Sequence, residues 1–434
     1  MIVQENPSVN SAPSSRKTVS LRTNLVWTLV GRGAYQAAQW GLLVILTKLT
    51  TQAEVGNFVL ALAVTAPVFL LASLQLDSVE AVDARRGHTL GEYLALRIVT
   101  TGIALVVAAI VAAVAYRNSA GLLVLLWALA KAMESLSGIF LGFMQQNERF
   151  DIIARSLLVK ALASLLALGG VVYFTRSPAW GMVALVVAWA WRLLAYDMRK
   201  TKALAEDYRK EGVLVSLQPT WNWSVLWRLG WRALPLGLVV MMTSLQVNIP
   251  RYAVAHYLGS ENLALFGATA YLTLAGALVA NAMAASSSPR MAYHYFNGNR
   301  DALVRIIKRL VAGAGGVGAL SVVVAAVAGE PLLRVLYSEQ YADESTLLVL
   351  LMVAGLLTYV YTVLEGVMTA THYFRSQLVL NVIVLIVSLG AAYGLTPLFG
   401  LHGAAYAMIL AAGAGLAGSL LLVNHALHMI GGQK

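Results

Sequence analysis

Twelve apolar runs, most of them about 20 residues long, fill most of this 434-residue chain and leave it few ways to fold. A helix of that length crosses the ~30 Å hydrocarbon core of a bilayer at about 1.5 Å per residue. In lipid the backbone must satisfy its own hydrogen bonds, so such runs can only be helices. They lie at 25–46, 57–76, 93–115, 120–143, 155–174, 178–196, 231–249, 262–283, 304–328, 346–371, 376–396 and 402–424. Only 12% of residues are charged, against about 25% in a soluble domain. That excludes a water-soluble globule or a disordered regulator. With no cysteine, there is no disulfide, thiolate metal site or cysteine nucleophile. The expected fold class is an all-α polytopic membrane protein, with no cofactor and no metal.

Charge orients the layout. Residues 1–24 are polar and then basic (Arg16, Lys17, Arg22), and the first apolar run is already a full span. An uncleaved cytoplasmic tail is therefore expected. With twelve spans, 20 of the 31 Lys and Arg fall on the N-terminal side of the membrane. Only Lys48, Arg117, Arg176, Arg251 and Arg334 fall on the other side, and six lie within spans. By the positive-inside rule both termini, including a second tail at 425–434, are cytoplasmic. The net charge of +11 would suggest nucleic acid in a soluble protein; here it orients the chain, and no nucleic acid is expected.

The longest connection, 197–230, divides the spans into two sets of six, at 25–196 and 231–424. Gly142, Met144, Phe150, Ser164, Leu165 and Gly170 match Gly366, Met368, Phe374, Ser388, Leu389 and Gly394 at one fixed offset. Six spans per half give both halves the same orientation, so a pseudo-two-fold axis along the membrane normal is expected, with a cleft between bundles. The connection reads as a solvated charged helix followed by interfacial anchors Trp221, Trp223, Trp227 and Trp231, tethered on the cytoplasmic membrane face.

An ionised residue at the centre of a span costs about 2.5–3.5 kcal/mol and calls for a reason. Arg97, Arg192 and Arg232 sit within about a turn of a cytoplasmic end, so snorkelling suffices, and Lys160, one turn deeper, is still within reach. Arg32 is about 12 Å into the first span, flanked by Gly31 and Gly33. Lys131 and Glu134 share one helical face in the fourth span. They form either a structural ion pair between helices or a substrate- or proton-responsive couple facing a wet cavity. Glu365, the only deep acid of the second half, binds a coupling cation, takes up a proton or pairs with an arginine. Lys48 and Arg251 mark the outer ends of spans 1 and 7, and Gln36, Gln39, Gln246 and Asn248 add polar groups to the same helices. Those two spans are expected to line the pathway, or to hydrogen-bond to other helices. The basic balance suits an anionic substrate, since arginine matches diphosphate geometry.

Over residues 20–430 the chain resembles the polysaccharide transporter branch of the multidrug/oligosaccharidyl-lipid/polysaccharide (MOP) superfamily, the Wzx-type flippases. The resemblance is carried by Leu46-Thr47-Lys48-Leu49 with Glu54-Val55-Gly56-Asn57-Phe58, and by its echo Tyr257-Leu258-Gly259 with Leu265-Phe266-Gly267. It is also carried by Pro289, by Pro331 to Arg334 with Tyr337 and Tyr341, and by Pro397-Leu398-Phe399-Gly400-Leu401-His402-Gly403. The resemblance implies two six-helix lobes in a V around a central cationic cavity, lined chiefly by the first helix of each lobe. It implies transfer of polyprenyl-diphosphate-linked oligosaccharide between leaflets of a bacterial inner membrane, by a monomer working beside a polysaccharide polymerase. Arg32, Lys48, Arg251, Lys131, Gln39 and Asn248 are the expected substrate-binding set, and Glu134 or Glu365 the coupling group. Lys48 departs from the family, whose entry motif often has arginine there, and no family pattern covers Lys131, Glu134 or Glu365. The alternative is a multidrug exporter of the same fold, which needs acidic cavity residues. A membrane-embedded glycosyltransferase, polymerase or ligase needs larger outer loops than 329–345 provides.

Overall fold

The computed structural model describes residues 21–83, 87–116, 119–210 and 217–431. Arg16, Lys17, Arg85, Arg86, Arg117 and Lys434, with most of the two terminal tails, lie outside the described residues, as do the side chains of Arg22, Arg209 and Lys210. The described chain is helical throughout: α1 (Leu21–Leu49), α2 (Gln52–Ser73), α3 (Leu76–Val82), α4 (Leu90–Ala115), α5 (Ser119–Gln146), α6 (Phe150–Thr175), α7 (Pro178–Arg192) and α8 (Met198–Lys210). The second half contains α9 (Trp223–Tyr271), α10 (Leu274–Phe296), α11 (Arg300–Leu336), α12 (Glu339–Ala342), α13 (Ser345–Ala370) and α14 (Phe374–Gly431).

Among the described residues, nine segments are long and apolar enough to cross a membrane. Two of them, Trp223–Phe296 and Phe374–Met429, are 74 and 56 residues long, enough to cross twice. They break where α9 leaves helical geometry at Gly259 (φ 81) and α14 at Gly400 (φ 60). With α1, made less apolar by Arg32, Gln36, Gln39 and Lys48, they account for all twelve predicted spans. The protein is a multi-pass membrane protein. Thr51 and Glu54 form a capping box at the start of α2, and Thr89 and Glu92 one at α4, satisfying otherwise orphaned N–H groups. The kink at Ala328 of α11 lies three residues before Pro331, whose ring displaces the helical bond to the fourth residue back.

The helices alternate between two membrane faces. The face carrying the ends of α2, α5, α7, α10 and α13 is the basic face; the other carries the ends of α1, α4, α6 and α11 and the breaks at Gly259 and Gly400. Near the opposite face one buried apolar cluster unites both halves, from Leu42, Val55 and Trp127 to Phe266, Leu333 and Leu401. Toward the basic face the core divides. One cluster joins α3, α4 and α5 to the start of α9 through Leu76, Tyr93, Phe140 and Leu226, and another joins α10, α11, α13 and α14 through Met291, Leu310 and Leu364. Among the described residues, no apolar cluster joins the first half to α10–α14 near the basic face. The bundles thus meet at one end and diverge at the other. Among the described residues α9 packs on both bundles, on α2 and on α14.

Apart from Pro289, which lies near the basic-face end of α10, the residues that carry the resemblance gather at the closed end. A Cβ at Gly56 would lie 1.7 Å from the carbonyl oxygen of Ser260, so only glycine lets α2 meet the bend at Gly259. Trp40 donates to the Tyr337 hydroxyl (3.1 Å), which donates to the Ala268 carbonyl (2.8 Å). Tyr252 donates to the Ala63 carbonyl across the same seam (2.6 Å).

The connection between halves is docked rather than free. A π-helical turn, Leu193–Asp197, carries α7 directly into α8, where Thr201, Leu204 and Ala205 are buried. The Thr220 N–H donates to the Gly91 carbonyl (3.0 Å). Trp223, Trp227 and Trp231 belong to the first turns of α9 and are exposed.

Candidate functional site

The charged groups at membrane depth fall into separate stations. The densest lies inside the first half, between α1, α5, α6 and α7. The Glu134 carboxylate accepts hydrogen bonds from both Lys131 and Lys160, and from the Tyr35 hydroxyl at 2.5 Å. The Lys160 ammonium also lies 4.1 Å from the ring centroid of Tyr35 and 3.8 Å from that of Trp189. Cation–π contacts of this kind lower the cost of a buried ammonium. Lys160 is 1% exposed, whereas Lys131 and Glu134 are 28% and 24% exposed. Two ammonium groups share one carboxylate, so the station retains one positive charge.

One turn closer to the basic face, Asp197 accepts hydrogen bonds from Ser137 and Ser156 (2.5 Å each) and forms an ion pair with Arg192 at 3.1 Å. Arg192 also donates to the Ser137 hydroxyl. Residues five apart on an α-helix point about 140° away from each other. The π turn at 193–197 removes that offset and lets Arg192 and Asp197 meet. Trp189 donates to Ser164 (2.8 Å), which donates to the Lys160 carbonyl (2.6 Å). A continuous polar seam thus joins three helices in an otherwise apolar bundle.

These contacts correct the snorkelling expectation. Lys160 does not reach water. Arg97 and Arg192, each 2% exposed, are held inside by Asp77 (3.3 Å) and Asp197. Only Arg232 is exposed as expected. Desolvating a charge costs several kcal/mol, so each arginine stays inside only because an acid meets it.

Arg32 is exposed on α1, beside a small hollow formed with Trp27, Gln145 and Leu157. It has no ion pair among the described residues. Gly31 packs against Ala154 of α6, whereas Gly33 faces open space. Lys48 lies sixteen residues further along the same helix, ~24 Å away. Its ammonium donates to the Val335 carbonyl (2.9 Å), bridging the halves at the closed end. One diphosphate cannot touch both. On α9, Arg251 donates to Asn248 (2.8 Å), and Asn248 donates to the Ser244 carbonyl (2.9 Å). Gln39 is half-buried on α1. Gln246 is used between helices, donating to the Asn381 carbonyl (2.9 Å).

In the second half the Tyr361 hydroxyl lies 3.0 Å from Glu365 and 2.8 Å from the Asn381 side-chain oxygen. Gln377 and Asn381 also hydrogen-bond Glu365. No cation pairs with Glu365 among the described residues. The structure thus brings Lys131 together with Glu134, and Asn248 with Arg251. It leaves Arg32, Lys48 and Glu365 apart from them and from one another.

Tyr35, Lys160, Trp189 and Asp197 are absent from the sequence-derived set. A signal existed for Lys160: α5 and α6 form a hairpin around residues 147–149, and Glu134 and Lys160 lie at nearly equal distances from it. Asp197 gave none, because its role depends on the π turn.

No protein-family model matches the chain. A Staphylococcus aureus protein named capsular polysaccharide biosynthesis protein CapF is 23% identical over 364 residues, covering 84% of this chain and 89% of its own length. Among solved structures, the inward-facing conformation of a multidrug resistance MATE family transporter of the MOP superfamily superposes with a TM-score of 0.75. The identity is 14%, covering 94% of this chain and 98% of that one. An outward-facing conformation of such a transporter gives 0.62 at 13% identity, covering 95% and 96%. The chain shares the fold of these MOP-superfamily structures over nearly its whole length.

Proposed function

We propose that this protein is a flippase for lipid-linked oligosaccharides. It moves polyprenyl-diphosphate-linked sugar units from the cytoplasmic to the outer leaflet of a bacterial inner membrane, with the basic face cytoplasmic. The observation that carries this reading is unneutralised positive charge at membrane depth. Arg32 has no acidic partner among the described residues, Arg251 has only an amide, and two lysines share Glu134. Such charge is costly in a bilayer and marks a pathway. A diphosphate is the ligand that arginine forks meet best. The name of the Staphylococcus aureus relative, a capsular polysaccharide biosynthesis protein, supports a place in polysaccharide synthesis.

In this mechanism the divergent basic face is the loading state. The diphosphate meets Arg32 first and reaches Arg251 and Lys48 only after moving along α1 and α9, because Arg32 and Lys48 are ~24 Å apart on one rod. Opening the seam around Trp40, Tyr337 and Ala268 releases the sugar on the other side, by alternating access of one bundle against the other. Glu134 or Glu365 takes up a proton or cation to reset the cycle. The protein works as a monomer, delivering to a polysaccharide polymerase, and performs no covalent chemistry itself.

A cation antiporter of the same fold is the competing reading. Glu365 favours it, being a deep acid held only by hydroxyl and amide groups. Reconstitution separates the two. The purified protein in vesicles is expected to accelerate leaflet transfer of a fluorescent polyprenyl-diphosphate sugar. Proton-driven uptake of organic cations with no sugar-lipid transfer would establish the antiporter instead.

A further inference from the structure

A cavity of about 1,500 Å³ lies between α2 and α4 of the first half and α9. Sites for drug-sized ligands occupy about 300–1,000 Å³. Among the described residues its lining contains no Asp, Glu, Lys or Arg, and none of the charged stations opens into it. Its long axis follows the membrane normal. On α2 the lining runs from Asn57 to Leu74 and on α4 from Leu96 to Ala115. At 1.5 Å per residue these stretches span about 25–29 Å, nearly the whole ~30 Å hydrocarbon core.

Two features identify the occupant. The first is length. A phospholipid acyl chain fills only its own leaflet, about half the core, and would leave the rest of the groove without contacts. One long isoprenoid chain fills it end to end. The second is charge. At the basic face Trp227 and Trp231 line the mouth with stacked rings, 6.1 Å apart and 19° from parallel. Arg228 and Arg232 follow them one position on, exposed and four residues apart, and so on one stripe of α9. Neither has an acidic partner among the described residues; Arg228 donates only to the Ser224 carbonyl (3.3 Å). A neutral groove whose mouth tryptophans are each followed on α9 by an arginine with no acidic partner among the described residues, outside the lining itself, complements a neutral chain with an anionic head.

We propose that this groove seats the isoprenoid tail of the transported lipid, its phosphate end between Arg228 and Arg232 and its distal end near Val111 and Ala115. The proposal rests on the lipid-linked substrate reading above and adds a tail site separate from the path of the sugar. Because α9 also packs on α14, a seated tail bears on a helix in contact with both bundles.

The test uses the full-length protein in phosphatidylethanolamine and phosphatidylglycerol vesicles. The probe is a long polyprenyl phosphate without sugar, carrying a diazirine at its distal end. A phosphatidylethanolamine with a diazirine at the end of one acyl chain runs in parallel. After photolysis, the polyprenyl probe is expected to label α4 around Val111 and Ala115 about tenfold more than the phospholipid probe. Ile103→Trp and Val107→Trp, on exposed lining positions, each reduce that labelling about tenfold. Equal labelling by phospholipid, no label in the groove, or undiminished label in both tryptophan variants overturns the proposal. Labelling needs no transport. Wild-type protein that is labelled but moves no sugar-lipid leaves the groove standing and removes the flippase reading. Protein that moves sugar-lipid without groove label does the reverse.

Discussion

Replacing Glu134 by glutamine tests whether the first-half station is held by its charge balance. The carboxylate neutralises Lys160, which is 1% exposed, and Lys131, which is 28% exposed. Lys131 can turn toward water when its partner is lost, whereas Lys160 cannot. Its contacts with the Tyr35 and Trp189 rings are present with or without Glu134, so they soften the cost of the stranded charge but do not replace the lost carboxylate. Removing one partner of a buried pair costs about 3–5 kcal/mol. With only one of the two lysines stranded, the lower end applies, about 3 kcal/mol, or about a hundredfold in the folded-to-unfolded ratio. Glu134→Gln combined with Lys160→Met removes the stranded charge, and replacing a buried pair by neutral groups is often close to neutral. The double variant is therefore expected within ~1 kcal/mol of wild type, more stable than the single one. Reversible denaturant unfolding of the purified protein in detergent measures both. A single variant within 0.5 kcal/mol of wild type, or a double variant no better than the single, would refute the account.

Arg32→Gln is expected to abolish leaflet transfer while changing stability by less than ~0.5 kcal/mol, since Arg32 is exposed and has no ion pair among the described residues. Arg32→Lys keeps the charge without the fork and falls between the two. Tyr337→Phe removes the two hydrogen bonds that its hydroxyl makes in the closed seam and weakens it by about 1–3 kcal/mol. A cysteine at Val59, buried in that seam, should then be labelled faster from the opposite face, and an unchanged rate would show that the tyrosine does not hold it shut. The chain has no native cysteine, so single replacements report cleanly. Gln36→Cys, on the exposed side of α1, should react with an impermeant thiol reagent added at the basic face, whereas Leu43→Cys, fully buried, should not react from either face.

Helix number and placement were legible because membrane helices are specified locally. Each span needs about twenty apolar residues in a row, and hydropathy alone locates such runs. The capping boxes at Thr51–Glu54 and Thr89–Glu92 and the breaks at Gly259 and Gly400 are equally local, since a few consecutive residues decide them. The recognised motif residues Gly56, Gly259 and Tyr337 could be picked out in sequence. Their shared purpose, closing one end of the molecule, emerged only when α2, α9 and α11 were seen to meet there.

Side-chain partnership was not local. Depth along a span suggested snorkelling for Arg97, Arg192 and Lys160, because a one-dimensional reading offers only water as the partner of a charge. The fold supplied Asp77, Asp197 and Glu134 instead, across helix pairs and through one π turn. By itself the sequence determined that the chain crosses the membrane twelve times and that its interior is basic. Only the tertiary structure decided which of those charges are spent on one another and which, like Arg32, have no ion pair among the described residues. An ion's state depends on the groups within a few ångströms, and packing brings those from anywhere in the chain.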